Sequence, residues 1–496
     1  MSTEFSQVVP EALVPLFQHS GADWRRAWGI EFKWTPEHLT VDDMRPMMFT
    51  YDNLAEDALN RLDEISPPPP AAPPRPEGDA APPSADDEKK RPPPRDLVAL
   101  MKEHADTDEV IGRFWKQANT VPDWVNWEQI EQGQRVFLRY SGPAIIALTF
   151  QSLVGGMATR RVVETLGRTG GFSVRQSRRR LLETFQHILQ STESLQAIQP
   201  GGTGFNSTLR VRLLHTAVRR RIMALAERKE GYYSIEEYGI PINDLDSAGT
   251  ISTFSALLMY IGLPRQGIFL TTQEQDDYLM LWRYIAHVIG APSEWFKDRK
   301  TARLMMESLL ISEIDPTNTS RTLANNVLTS LANQPPVYLS RSFLAAETYW
   351  LNGSELSGAL AIERPPIKYR LAVLGNCMFF MAMCYSHKLL PFLDDIRIRR
   401  LRRTLYRTTV QNTARGALGK ETNFEFQYVP TLDVISTQLG TADEADQWDH
   451  LQKAARKYEL RTIATLALAA TLLGAGGYAG ARGIASLMRH VLLRRG

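Results

Sequence analysis

Apolar residues recur at helical spacing along most of the chain, and runs that alternate apolar with polar positions are scarce. The stretch "TLRVRLLHTAVRRRIMAL", Thr208 to Leu225, shows the pattern. Val211, Leu214, His215, Val218, Ile222 and Leu225 follow i, i+3, i+4, i+7 spacing and predict one apolar stripe on a helix, while Arg210, Arg212, Arg219, Arg220 and Arg221 mostly project elsewhere. His215 therefore points inward, as either a hydrogen-bonded core residue or a ligand to a metal or haem iron. The same period predicts helices in "YDNLAEDALNRLDEI", "DLVALMKEHADTDEVIGRFWKQA", "SGPAIIALTFQSLVGGMATRRVVETLG", "RQSRRRLLETFQHILQSTES", "DDYLMLWRYIAHVIG" and "YRLAVLGNCMFFMAMCYSH". The expected fold class is mostly α and multi-helical.

Two stretches break the pattern. Between Ser66 and Asp96, twelve of thirty-one residues are proline and large apolar side chains are missing, so no helix, strand or core forms there. This divides the chain into an N-terminal helical segment, residues 1–65, that packs on the main body; a proline-rich loop, 66–96; and a helical body, 97–455. Near the other end, Thr462 to Ala481 is twenty uncharged residues between Arg461 and Arg482, long enough to span a bilayer. Its alanine, glycine and threonine content equally suits a packing helix, so 458–483 is read as a membrane-associated helix whose spanning is left open. Ser141 to Thr159 is also uncharged, but Pro143, Thr149, Gln151 and Ser152 favour a buried core helix. The opening residues, with Pro10 and Glu11 and no basic start, do not read as a signal peptide.

Charge narrows the partners. With 57 Lys and Arg against 55 Asp and Glu in 496 residues, the net charge is +2, which gives no global basic field for nucleic acid. Cys377 and Cys384, seven apart in an apolar segment, lack zinc or redox spacing and read as buried thiols.

Chemistry-capable side chains fall on three helices. Glu164 closes a long apolar segment, as either a solvated helix-end carboxylate or a base in a dry pocket. Arg180 and Thr184 are i, i+4 on one face, a guanidinium beside a hydroxyl. Gly201, Gly202 and Gly204 then allow the chain to turn back, so that the helix of His215 faces the helix of Arg180. His287, among Trp282, Tyr284 and Trp295, competes with His215 as a ligand or is a core histidine.

From about Tyr51 to about Trp295, through "YDNLAEDAL", "PDWVNWEQIEQGQRVFLRY", "SLVGGMATRRVVETLGRTGGF", "RRRLLETFQH", "VRLLHTAVRRR" and "WRYIAHVIGAP", the sequence resembles the family of latex-clearing-protein-type rubber oxygenases and the fungal endoplasmic-reticulum-bound oxygenase of mycophenolic acid biosynthesis. The strongest element is the ordered set Glu164, Arg180, Thr184 and His215. The resemblance implies a globin-like helical core that binds haem b, with His215 as the proximal iron ligand. It implies Glu164 as the base that removes an allylic proton, and Arg180 and Thr184 as residues that shape the distal pocket and position that base. The implied reaction is cleavage of an isoprenoid carbon–carbon double bond by dioxygen to an aldehyde and a ketone, on an apolar prenylated or terpenoid substrate. The implied location is a membrane such as the endoplasmic reticulum, with the cytoplasm as the alternative.

One position departs. Some bacterial members carry a lysine directly before the threonine, able to cap the iron; here it is Glu183, which is either a different distal ligand or none. The Met-rich "NCMFFMAMCY" either lines an apolar channel or is ordinary core. Two further readings stay open: a non-enzymatic carrier or sensor of haem or lipid that keeps His215 but not Glu164, and a scaffold that lays the basic helix Arg397 to Arg407 on an anionic membrane.

Overall fold

The computed structural model describes residues 23–68, 95–169, 171–335, 338–413 and 416–424, together with Thr471. Most of the proline-rich loop and the segment Thr462 to Ala481 lie outside the described residues. The described chain is mostly α-helical. The helices used below are α1 Asn53–Ile65, α2 Glu109–Asn119, α3 Trp127–Arg139, α4 Ser141–Ala147, α5 Arg160–Thr169, α6 Val174–Ser191, α7 Thr203–Arg228, α8 Asp244–Phe254, α9 Thr272–Ile289, α10 Arg299–Ser312, α11 Asn318–Leu331, α12 Arg341–Ala359, α13 Ile367–Leu389 and α14 Pro391–Tyr406.

Helices α3 and α9 pack along each other at the centre of the largest apolar cluster, where Phe137, Tyr140, Tyr278, Leu281 and Tyr284 are buried. Helix α7 lies against α9 and α1 on one side and α6 on the other, and α6 is backed in turn by α11. Gly204 makes the α6–α7 approach possible: a Cβ there would sit 2.6 Å from the Gln190 carbonyl oxygen and 2.7 Å from Ser191 Cα. The turn before it contains Gly201 at φ +85°, a conformation that favours glycine.

Two of the α7 arginines expected to project away from the apolar stripe are buried. Arg212 is buried and grips Asp52, just before α1, with Nε–Oδ2 at 2.6 Å and Nη2–Oδ1 at 2.9 Å. Arg219, also buried, pairs with Glu56 at 2.9 Å and lies over the Tyr51 ring. Their charges are met by acids about 160 positions away in sequence, and those bonds dock α1 onto α7. Gly290 ends α9 at φ +80°, and a Cβ there would meet Asp52 Oδ2 at 2.5 Å and Arg212 Nε at 2.7 Å, so glycine is required both for the helix end and for this ion pair.

An element missed by the sequence reading precedes α1. Strands β1 Trp24–Ala27 and β2 Ile30–Lys33 form an antiparallel hairpin with Ala27 opposite Ile30. Its two-residue turn puts Trp28 at φ 53° and Gly29 at φ 74°, the geometry of a tight hairpin turn, with tryptophan where asparagine or glycine is usual.

Two helical segments are long and apolar enough to cross a bilayer by length and composition. Ser141–Ala158 is 61% buried in the fold, as expected of a core segment, and it passes from α4 through a π-helical turn, Leu148–Val154. Helix α13 is only 28% buried. Its Cys377 and Cys384 are free buried thiols.

Between α12 and α13 sits a buried carboxyl, Glu347, which accepts a hydrogen bond from Asn376 Nδ2 at 3.2 Å. Burial pushes it up to about 8. A folded-state value above the unfolded one means that the native chain holds this proton while the unfolded chain releases it, so stability falls as pH rises from about 4.5 to about 8. Glu347→Gln keeps the acceptor for Asn376 and removes the cost of deprotonation. The variant is expected to match the parent near pH 5 and to exceed it by a few kcal/mol near pH 8. Urea unfolding at the two pH values measures this; equal differences at both would show that folding does not tighten the hold of Glu347 on its proton.

Candidate active site

Helix α6 carries Arg180, Thr184 and His187 at i, i+4 and i+7, so they form one row. Arg180 is half-buried and its guanidinium lies over the Phe172 ring, 5.5 Å from the centroid. Thr184 is exposed. His187 is buried and its Nδ1 is 3.1 Å from Ser207 Oγ on α7.

His215 lies on α7 between the apolar stripe of Leu214, Val218, Ile222 and Leu225 and the arginine pair Arg212 and Arg219. It lines a small recess with Asp52, Arg212, Thr216, Arg219 and Ile242. Burial, then the positive charges of Arg180 and Arg219, push its imidazole down to about 4. Arg180 and His187 both act on it electrostatically, so the facing helices do bring Arg180 and His215 together. Among the described residues neither ring nitrogen of His215 has a hydrogen-bond partner.

Glu164 is fixed by a partner on its own helix. On α5 its Oε2 accepts from Arg168 Nη1 at 2.9 Å, one turn on, and its side chain is largely buried. Arg168 is itself fixed: Nε donates to the Tyr232 carbonyl at 2.8 Å, and the guanidinium lies over the Tyr232 and Tyr233 rings. The side chain that orients Glu164 in this structure is therefore Arg168, where the resemblance implies Arg180 and Thr184. Glu183 turns away from the Thr184 row. It is buried against Arg179, at 3.1 Å, and accepts from Thr422 Oγ1 at 3.4 Å, so it is a packing carboxylate and not a free group on the site.

A short strap closes this region. The Gln186 amide clamps Thr422 by two bonds of 2.9 Å, Nε2 to the carbonyl oxygen and the backbone N–H to Oε1. Phe424, at φ 53°, then turns into the cluster of Leu214, Val218 and Tyr233 and meets the His187 ring edge-on at 6.3 Å. Gln186, His187 and Arg168 were missed by the sequence reading. The first two are one helical turn or less beyond Thr184, so the same face count that paired Arg180 with Thr184 reaches His187.

Among the described residues no group of three or more His, Cys, Asp or Glu side chains gathers to hold a bare metal ion. A single imidazole instead suits an iron whose equatorial ligands come from a porphyrin. Such a ligand must be neutral and keep a nitrogen free, and His215 meets both conditions. His287 also keeps Nε2 without a partner and stands edge-on to Trp124 at 6.2 Å.

Comparison with known proteins bears on the same residues. The family model described as ER-bound oxygenase mpaB/B'/Rubber oxygenase, catalytic domain, matches residues 137–383, which include Glu164, Arg180, Thr184, His215 and His287. The rubber oxygenase of Streptomyces sp. (strain K30) is 20% identical over 283 residues, 55% of this chain and 67% of its own length. The solved structure of latex clearing protein in the closed state superposes with a TM-score of 0.51 at 15% identity, over 75% of this chain and 95% of that one, a likeness of fold.

Proposed function

Residues 137–383 belong to the catalytic-domain family of the ER-bound oxygenase mpaB/B' and rubber oxygenase, and on that premise we propose that this oxygenase uses haem b to cleave a carbon–carbon double bond of a prenylated or other isoprenoid substrate. The observation that carries the reading is His215, neutral, with both ring nitrogens unbonded among the described residues, and facing Arg180 across two packed helices. His215 is the residue that holds the iron; bound haem supplies the one-electron chemistry that activates dioxygen.

The other residues act on the substrate and its proton. Glu164 accepts the allylic proton at a carboxylate oxygen, with Arg168 bonded to Oε2 to fix its orientation. Arg180 places a cation and its N–H donors on the α6 row facing His215, where it orients anionic or carbonyl oxygens of the substrate. Thr184, exposed beside Arg180 on the same face, contributes a hydroxyl at the accessible edge of the row. The apolar cluster closed by Phe424 keeps water from the His187 end. Glu183, paired with Arg179 and Thr422, leaves the resting site without a side-chain cap from that position.

An apolar substrate of this kind partitions into lipid, and we place the protein at a membrane. The direct test is oxygen uptake and carbonyl formation by the haem-loaded protein with polyisoprene oligomers and prenylated small molecules. Uptake that depends on substrate, with matching aldehyde and ketone, supports the proposal; haem-loaded protein that consumes no oxygen with any of them contradicts it.

A further inference from the structure

We infer that the outward faces of α13 and α14, with the corner between them, form a docking surface for an anionic lipid bilayer. The Met-rich segment, expected as channel lining or core, divides between two faces: Cys377 and Cys384 are buried and Met383 packs on the core, while Met378, Phe379 and Met381 are exposed. Helix α13 packs on α12 with Tyr369, Ala372, Val373 and Cys377 and turns Ile367, Leu371, Leu374, Met378 and Met381 outward, at i, i+4, i+7, i+11 and i+14. Leu371 is 61% exposed, and at the corner Leu389 is 80% and Phe392 63% exposed. Phe269, held beside this helix by the bond from its N–H to Tyr385 Oη, adds another exposed ring. Taking about 200 Å² for a large apolar side chain, these residues leave on the order of 1,000 Å² uncovered, above the roughly 300–600 Å² of the largest patch on an ordinary monomer.

The charge beside this patch selects the partner. On α14, Phe392, Arg399 and Arg403 fall at i, i+7 and i+11, so the exposed ring of the corner and the exposed arginines share one face, which Arg400 and Arg407 widen. Of the two acids of α14, Asp394 is buried and bonded to Arg139 at 2.8 Å, and Asp395, whose side chain is partly exposed, is paired with Arg135, so neither leaves an unpaired negative charge beside the arginines. Glu274 joins Arg139 at 2.8 Å to Lys388 at 2.6 Å, locking α3, α9, α13 and α14 together. The outward row is left cationic next to a protruding apolar corner. A self-interface would bring like charges of two such rows close together; an anionic bilayer takes the leucine and phenylalanine side chains into its acyl boundary and the guanidinium groups at its phosphates. The inference rests on the membrane location proposed above and names the surface that makes it.

Vesicle flotation of the full-length protein tests it, with phosphatidylcholine vesicles and with vesicles containing phosphatidylserine. Parent protein is expected to float with the anionic vesicles far more than with the neutral ones. Arg399→Gln with Arg403→Gln is expected to weaken anionic binding on the order of 30-fold, from the loss of two interfacial charges. Leu389→Ser with Phe392→Ser, at exposed positions that leave the core intact, is expected to weaken it as well. Equal binding to both vesicle types, or unchanged binding of both variants, as attachment through Thr462 to Ala481 alone would give, overturns the proposal. So does a dimer in vesicle-free buffer that the Leu389 and Phe392 changes dissociate while vesicle binding persists. Haem content and turnover of detergent-dispersed substrate, read on the same preparations, report on the oxygenase reading separately, because none of these residues lies in the candidate site.

Discussion

His215→Ala is expected to purify with little or no haem, while the parent shows the Soret absorbance of b-type haem. The substitution removes the one inward imidazole that has no hydrogen-bond partner among the described residues and lines the recess beside Arg212 and Arg219. Folding should survive, because His215 forms none of the ion pairs that dock α1 on α7; those belong to Arg212 and Arg219. Circular dichroism separates loss of ligand from loss of fold. His287→Ala is the matched control. Full haem in His215→Ala and loss in His287→Ala would move the ligand to α9.

Glu164→Gln is expected to keep haem and fold and to lose about 10²–10⁴-fold in turnover, the usual contribution of a positioned general base. Glutamine has nearly the volume of glutamate, and its carbonyl oxygen can still accept from Arg168, so the change removes the proton acceptor with little else. A carrier of haem or lipid would not register it. Rates compared at equal haem occupancy make the distinction, and parent-like turnover in Glu164→Gln would remove this residue from the chemistry.

Helix α7 was legible because its apolar stripe keeps the 3.6-residue period over several turns, and its glycine-rich approach was legible because the turn needs positive φ. The burial of Arg212 and Arg219 was not: an arginine run reads as a solvated face, and the acids that neutralise it, Asp52 and Glu56, become neighbours only when α1 docks. The hairpin escaped because Trp28 holds a turn position where its residue type gives no signal. Periodicity grouped Arg180 with Thr184 but did not find the partner of Glu164, since Arg168 is placed by the Tyr232 carbonyl, contributed by the loop after α7. For α13 the pattern tells which residues share a face and not which face is covered; that depends on α12, which covers one apolar side and leaves another exposed.

The central claim is that residues on α5, α6 and α7 serve oxidative cleavage of an isoprenoid double bond. Product analysis under isotopically labelled dioxygen tests it most directly, with haem-loaded protein and a polyisoprene oligomer, trapping carbonyls as they form. The account predicts an aldehyde and a ketone from one double bond, each carrying label from dioxygen, and their near absence in Glu164→Gln. Intact oligomer after incubation, or carbonyl oxygen drawn from water, would contradict it.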